Sequence, residues 1–589
     1  MKWSIVMALA FASPVAAFDY SFESSDTELR DRLAGAARLT LLKQDNPDAP
    51  VQDIVSAAQS DYRTVTERLY AEGYFAATVN IRINGREAAK ISQLDLPATV
   101  SSVQVDVQTG APFRFGRVAV EPLAAGTTLP TGFATGEPAS LSVMRAAVDS
   151  SIEGWRQTGH AKAVVASQTV TANHGNNRLQ MRARIDPGPR LRFGTLAVSG
   201  DTAVRPERIR KIAGLPEGAT FDPDEMASAT RRLRRTGTFS AAILTEAENP
   251  NPDGTLPITA EVSDRLPRGF GIGGEVSSLE GVAVSAYWLH RNLMGGAERL
   301  RVEGEVSGIG GQSGGEDARL ALRYDRPATF NADTDFFSEA EIERRNDTAL
   351  DTTSGTLSAG IRRYASVNRT YDLAVGLRRA RTDDAFGRRD YTMLTLPLGA
   401  VFDYRDAPLN AQSGWYANVT LTPFVGLSGI SNGVASYGDL RGYYSFGTTR
   451  PVTLAGRFQI GSLAGPSLSQ APADLLFFSG GGGTVRGQPF QSNAISLGGG
   501  LHSGGRSFLG LSAELRIGVT EDISTVLFAD AGYIGAEMFP DGSGTWHSGA
   551  GVGLRYDTGI GPLRFDVGLP LSGPGNDGFQ IYIGIGQAF

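Results

Sequence analysis

The sequence predicts three α/β modules followed by a transmembrane antiparallel β-barrel of about 16 strands. Three observations carry that prediction. A short phrase built around glycine recurs through the first half of the chain. After residue 268 the chain turns glycine-rich and breaks into short stretches of alternating character. Beyond the first residues there is no run of about 18 apolar residues, so any crossing of a membrane falls to strands.

The repeat sets the organisation of the first half. Leu69 with Gly73, Tyr74 and Phe75 is echoed by Trp155 with Gly159, His160 and Ala161, and by Leu233 with Gly237, Thr238 and Phe239. The three glycines recur 86 and 78 residues apart, each where a helix C-cap needs a residue tolerant of positive φ. An alternating strand, a polar turn and a second strand follow, as in Ala241 to Glu248, Asn249 to Gly254 and Leu256 to Val262. A joining phrase also repeats: Gly110, Pro112, Phe113, Phe115 and Gly116 correspond to Gly188, Pro189, Phe193 and Gly194. Each unit therefore reads as strand, helices, then hairpin. The last helix carries Arg231, Arg232, Arg234 and Arg235, which suit a solvated face, lipid headgroups, a partner or one end of the barrel.

The barrel rests on period two. In the last segment Phe579, Ile581, Ile583, Ile585 and Phe589 fall on one face, and Gln580, Tyr582, Gly584, Gly586 and Ala588 on the other. One face suits lipid and the other a polar lumen. Trp288, Trp415 and Trp546 are candidates for interfacial girdles. At the other end of the chain, Lys2, the apolar stretch Ile5 to Ala12 and the small residues Val15, Ala16 and Ala17 read as a secretory signal peptide over residues 1–17.

Composition removes several function classes. There is no cysteine, hence no disulfide, thiolate metal site or cysteine nucleophile. With 55 basic and 62 acidic residues the net charge is -7, which is no footprint for nucleic acid. Two G-x-S-x-G spellings, Gly311 to Gly315 and Gly429 to Gly433, fall in glycine-rich loops rather than at a strand-to-helix elbow. The histidines have no metal-ligand spacing and no phosphate loop is present. The expectation is no enzyme activity, no cofactor and no metal.

Particular phrases give a family resemblance. The repeated units resemble POTRA domains, which implies placement in the periplasm ahead of an outer-membrane barrel. In the second half, Trp288 with Arg291, Asn292, Leu293 and Gly295 is similar to a W-x-x-R-N-L-x-G phrase. Asp403, Arg405, Asp406, Leu409 and Gly414 are similar to D-x-R-D-x-x-L with its turn glycine, and Glu514, Arg516, Phe528, Asp530 and Gly532 follow. Gly480 to Gly483 lead into Val485, Arg486 and Gly487, which resembles the V-R-G motif of a lid loop. Together these resemble the superfamily of outer-membrane assembly and transport barrels that includes BamA, TamA and the two-partner secretion transporters. The terminal Phe589 resembles an outer-membrane assembly signal.

The resemblance implies that the lid enters the barrel and that Arg486 meets the lumen acids Asp530 and Glu514. One departure stands out: Gln488 replaces the usual aromatic after the glycine, with Phe490 nearby as a substitute. The implied organisation is a signal peptide over 1–17, POTRA domains over 18–112, 113–190 and 191–267, and the barrel over 268–589. Three POTRA domains are similar to the TamA-like branch, whose members assist insertion of β-barrel and autotransporter clients. The implied partners are the outer-membrane bilayer, unfolded β-barrel clients and a TamB-like inner-membrane protein. A lateral seam is expected at Gly269, Gly271 and Gly273 in the first strand and Gly584, Gly586 and Phe589 at the last, where glycine weakens pairing. The rival readings are a two-partner-secretion transporter, which calls for a plug helix where the mature chain has no spare segment, and a role in lipid transport between membranes. A diffusion porin would lack both the repeats and the lid motif.

Overall fold

The computed structural model describes residues 18–589 apart from 47, 93, 278–280, 312–313, 348–349, 448–450, 521, 560 and 574–577. The expected signal peptide lies outside the described residues, as do Gln312 and Ser313 of the first G-x-S-x-G spelling. The chain falls into two compact units. One holds Met1–Thr195, Pro216–Glu225 and Ala247–Pro257; the other holds Leu196–Leu215, Met226–Glu246 and Ile258–Phe589, so the boundary passes through the third module.

Three small sheets share one topology. In each, the opening strand and the closing strand are neighbours and the intermediate strand lies on the far side of the closing one. The sets are Asp19–Ser24, Ser102–Gln108 and Thr78–Ile83; Arg114–Glu121, Arg178–Asp186 and Val164–Asn173; and Arg192–Ser199, Thr255–Asp264 and Phe239–Glu246. The opening pair is parallel in the first two, with helices making the crossover, and the final pair is antiparallel in all three. Gly73, Gly159 and Gly237 close the preceding helices at φ of 93°, 98° and 69°, which is the conformation the repeat called for. The first module departs from a plain hairpin. A short strand Arg86–Glu87 and a 3-10 turn Ala88–Lys90 intervene between its last two long strands.

Helix Val51–Ala71 shows how a module is held. Ile54, Val55, Ala58, Val65 and Leu69 recur at helical spacing and are buried against the sheet. Asp61 is buried on that same face. Its carboxylate accepts the backbone N–H groups of Arg38 at 2.8 Å and Leu39 at 3.0 Å. Those groups open helix Arg38–Asp45, whose N-cap Ala37 has no side-chain oxygen of its own. A distant carboxylate thus does the capping, favoured by the helix dipole.

The barrel closes from strand Arg268–Ser277 to strand Gln580–Ile585 and has 16 strands. Gly387–Thr395 and Leu398–Asp403 are successive pieces of one strand, since both pair with Arg369–Asp384 and with Gly414–Ser428. Pro397, which has no N–H for the ladder, lies at the break. Outward positions are apolar and exposed, as in Leu373, Val375 and Leu377 or Val552 and Leu554, while their sequence neighbours turn inward. Among the described residues no helix is long and apolar enough to span a membrane. The proximal end of the barrel is where the chain enters at Arg268; the other end is distal.

The third module is bound to the proximal turns. Helix Pro223–Arg235 places Arg232 in a bidentate pair with Asp333 at 2.9 and 2.8 Å, and Arg235 over the Tyr364 ring at 3.6 Å. Arg208 donates to Pro327 O at 2.6 Å, and Lys211 to Thr329 O at 2.9 Å. Thr238 donates to Arg291 O at 2.7 Å, and the Arg205 N–H to Gly295 O at 2.9 Å. Of the readings open for the basic helix, docking on the barrel accounts for Arg232 and Arg235. Arg231 stays exposed beside Ser228, and Arg234 bonds within its own module.

Two outcomes follow. Asp61→Ala leaves the buried Leu39 N–H and the part-buried Arg38 N–H without a partner and is expected to cost about 1–3 kcal/mol locally. It should read out as faster hydrogen exchange at the Leu39 amide in the full chain, and unchanged protection would refute the capping role. Burial opposes the Asp333 carboxylate, but the hydrogen bonds and charge of Arg232, with Arg235 and Arg363, outweigh it and hold its pKa below the ordinary carboxylate value. The contribution of this pair is therefore present above the unfolded value of about 3.9 and lost as pH falls through the lower folded value. Exchange protection at the contact of helix Pro223–Arg235 with the turn at Asp333 should persist at pH 5 and collapse only below about pH 4.

Candidate functional site: the lid loop and its lumen lock

The long distal loop between strands Val452–Ala464 and Ser507–Gly518 folds into the lumen and is held at two places. On one wall Asp474 receives Arg378 Nε at 2.9 Å and the Tyr391 hydroxyl. On the other wall lies the Val485, Arg486, Gly487 segment.

Arg486 is 3% exposed and meets three carboxylates. Asp530 takes a two-pronged bond, Nε to Oδ2 at 2.8 Å and Nη2 to Oδ1 at 3.0 Å, and also accepts the Arg486 backbone N–H at 3.0 Å. Nη1 donates to Glu514 at 2.6 Å and lies 3.4 Å from Asp566. The guanidinium stacks over the Phe528 ring at 3.8 Å. Two further arginines balance the acids: Arg516 pairs with Glu514 at 2.8 Å and Arg555 with Asp566 at 2.5 Å. The acids come from three strands, Ser507–Gly518, Ile523–Gly535 and Leu563–Ser572, and period two turns each inward. Buried charges this dense persist only when paired and hydrogen-bonded.

Glycines on the loop and on the wall let backbone meet backbone. Gly487 adopts φ 89°, and a Cβ there would strike the main chain of Leu569 at 2.6 Å. On the wall, a Cβ on Gly568 would meet Gly487 N at 2.7 Å, and one on Gly549 would collide with Arg486 O. Val485 is fully buried beside Gly532, and the Gly487 N–H donates to the Tyr582 hydroxyl at 3.1 Å. Gln488, which stands where an aromatic was expected, is completely buried. Its Nε2 donates to Ser548 O at 2.7 Å and Ser572 O at 2.8 Å, bridging two neighbouring strands. Phe490 is half-buried, so the anchor after the motif is an amide and not a ring. Asp566 and Arg555 were not singled out from the sequence, Tyr582 was placed there only on the inward face of the last segment, and Gln488 was noted only as a departure from the motif. Alternation marks Asp566 and Tyr582 as inward-facing, but nothing in the sequence ties them to a loop some 80 to 95 residues away.

At the seam, Val276 pairs with Ile583 and Ser277 with Tyr582. The ladder between Leu350–Ser366 and Arg369–Asp384, by contrast, runs nearly their whole length. Among the described residues Gly269, Gly271 and Gly273 have no ladder partner on the last strand, which ends at Ile585. Their inward faces are covered by Arg291, Tyr287 and Ser285 instead. Gly584 lies under Arg564, whose guanidinium crosses above it to Glu275 on the first strand at 3.6 Å.

Phe589 does not continue the lipid-facing stripe. Gly586 takes φ 92° and turns the chain inward, so that Phe589 is 8% exposed and packs with Ala411, Tyr443 and Ala455. Arg516 donates to its main-chain oxygen at 3.1 Å, and Gln587 is held by Arg555 at 2.8 Å and Asn410 at 2.9 Å. The turn carrying Asp403, Arg405 and Asp406 shapes this receptor. Arg405 pairs bidentately with Asp403 at 2.9 and 2.8 Å, and Asp406 accepts the Gln412 N–H at 3.0 Å.

Removing Arg486 leaves three buried acids short of a cation. Arg486→Ala is expected to destabilise the docked loop by about 3–5 kcal/mol, read as protease cleavage between residues 465 and 506 in the folded barrel. Exchanging charges with Arg486→Asp and Asp530→Arg should restore only part of the protection, because Glu514 and Asp566 keep their geometry toward position 486. Full protection in the single alanine variant would refute the lock.

Comparison with known proteins finds the same two kinds of domain in this chain. The Omp85 superfamily domain matches residues 292–589, and the POTRA family, described as a surface antigen variable number repeat, matches residues 191–265. The outer membrane protein assembly factor BamA of Neorickettsia risticii (strain Illinois) is 22% identical over 451 residues, covering 70% of this chain and 57% of its own length. BamA of Neisseria meningitidis serogroup B is 22% identical over 598 residues, 88% of this chain and 71% of that protein. Among solved structures, BamA from Haemophilus ducreyi lacking POTRA domains 1-3 matches with TM-score 0.60 at 17% identity, over 80% of this chain and 100% of that one. CdiB from Acinetobacter baumannii matches with TM-score 0.51 at 13% identity, over 80% and 90%. With half of its length matched by the family domain, and with a lid arginine seated in a closed 16-stranded barrel behind a POTRA domain, the chain belongs to the Omp85 superfamily.

Proposed function

We propose that this chain is an outer-membrane assembly factor that assists insertion of β-barrel and autotransporter clients by opening between its first and last strands. The observation that carries the reading is the seam. A closed barrel has no edge to offer a client strand. Here the two described ladder pairs sit near the distal end of the first strand, and its proximal glycines are unpartnered on that side among the described residues. Such an edge offers backbone donors and acceptors to an incoming strand by β-augmentation.

The names of the curated relatives support assembly over catalysis, and the chain is not an enzyme. The likeness of the first two modules to the third supports three periplasmic POTRA domains, over 18–112, 113–190 and 191–267. That number supports a TamA-like branch with a TamB-like inner-membrane partner. Polypeptide export through the lumen is the weaker reading, because the docked lid and the inward tail occupy the space a passing chain would use.

A disulfide across the seam tests the mechanism. Val276 and Ile583 are ladder partners that both face outward, and the chain has no cysteine to interfere. Ladder partners lie about 4.5–5.5 Å apart at Cα, within disulfide reach. Val276→Cys with Ile583→Cys should lose client insertion into vesicles when oxidised and regain it on reduction. Full insertion with the bond intact would refute lateral opening.

A further inference from the structure

The outer face of the barrel carries a second organised feature, away from lid and seam. Across five adjacent strands, from Asp317–Arg326 to Gly387–Thr395, ladder register arranges the outward residues in rungs. One rung is apolar throughout: Leu322, Ala340, Leu357, Leu377 and Leu394. The next toward the distal end is Leu320, Ile342, Gly355, Arg379 and Thr392. The third is Ala318, Arg344, Thr353, Arg381 and Asp390. The boundary between hydrocarbon-like and polar surface therefore falls within about 7 Å, one two-residue step along a strand. It is built from arginine rather than from the aromatic residues usual at such a level.

Two depressions meet at this boundary. The lower is lined by Leu320, Leu322, Leu357 and Leu377, the upper by Arg344, Arg379, Arg381 and Arg388, and they share Ile342, Gly355 and Arg379. Gly355 creates the notch: a Cβ there would come no nearer than 3.9 Å to anything, so the space is open. Asp390 binds Arg381 at 2.8 Å, while Asp351 and Asp383 stand one rung farther out. Arg344 and Arg379 thus lie nearest the apolar surface, and all four arginines are exposed. Arginine forks match phosphate oxygens in geometry as well as charge.

We propose that this groove binds a phosphorylated membrane lipid, with an acyl chain over Leu322, Gly355 and Leu357 and the phosphate held by Arg344, Arg379 and Arg381. The occupant is a lipid and not soluble phosphate because the apolar groove runs without a break into the cationic notch. An arginine beside hydrocarbon is unfavourable unless its charge is met, and a phosphate at that level meets it. The site is independent of whether the seam opens.

Native mass spectrometry of the full chain in neutral detergent tests this with three probes: dioleoyl phosphatidic acid, dioleoylglycerol and inorganic phosphate. Phosphatidic acid should remain bound about tenfold better than dioleoylglycerol, and inorganic phosphate at matched concentration should not displace it. Arg344→Gln with Arg379→Gln should weaken phosphatidic acid about tenfold and leave dioleoylglycerol unchanged. Gly355→Leu fills the notch without touching a charge and should weaken phosphatidic acid several-fold. Equal retention of the two lipids, displacement by inorganic phosphate, or undiminished binding in either variant would overturn the proposal.

Discussion

Arg486 enters the lumen on a loop and meets Glu514, Asp530 and Asp566, carboxylates that three strands bring close together. Three like charges in a space closed to water repel one another, and each is costly to bury alone. The loop arginine turns that liability into a binding site for the loop. Arg516 and Arg555 share the compensation, and each extends it. Arg516 also holds the Phe589 main-chain oxygen, and Arg555 also holds Gln587, so the segment after the last strand is fastened to the same cluster. Arg564 lies 3.9 Å from Asp566 and 3.6 Å from Glu275 across the seam. Lid, tail and seam are thus electrostatic neighbours through one set of acids.

The two sides of the seam are held by different means. The first strands are gripped at their proximal turns by the third module, through Arg205, Arg208, Arg232 and Thr238. The last strands are gripped from within, by Arg486, Gln488 and the inward tail.

The remaining lumen wall has another character. Arg301, Glu303, Arg319, Glu341, Arg323 and Glu339 form a ladder of half-exposed ion pairs on strands Arg299–Ile309, Asp317–Arg326 and Thr334–Asp347. Pairs at that exposure contribute little to stability. They make a partly exposed, charge-balanced wall, whereas the side that holds Arg486 is closely packed.

Much of this was legible in the sequence. Local rules carry the modules and the barrel: glycines at Gly73, Gly159 and Gly237 end helices because only positive φ fits there, and period two separates lipid face from lumen face. The V-R-G spelling pointed to Arg486, and alternation turned Glu514 and Asp530 inward. Other features depend on distance in space rather than along the chain. Gln488 bridges carbonyls 60 and 84 residues away, and Asp566 joins a group 80 residues distant. Phe589 leaves its stripe because one glycine turns the chain into a receptor assembled from a remote turn and two remote strands. The sequence by itself determined which residues face which side and where elements stop, since those follow from backbone sterics and periodicity. The tertiary structure alone decided which charges meet, because strand register and closure of the barrel bring them within hydrogen-bonding distance.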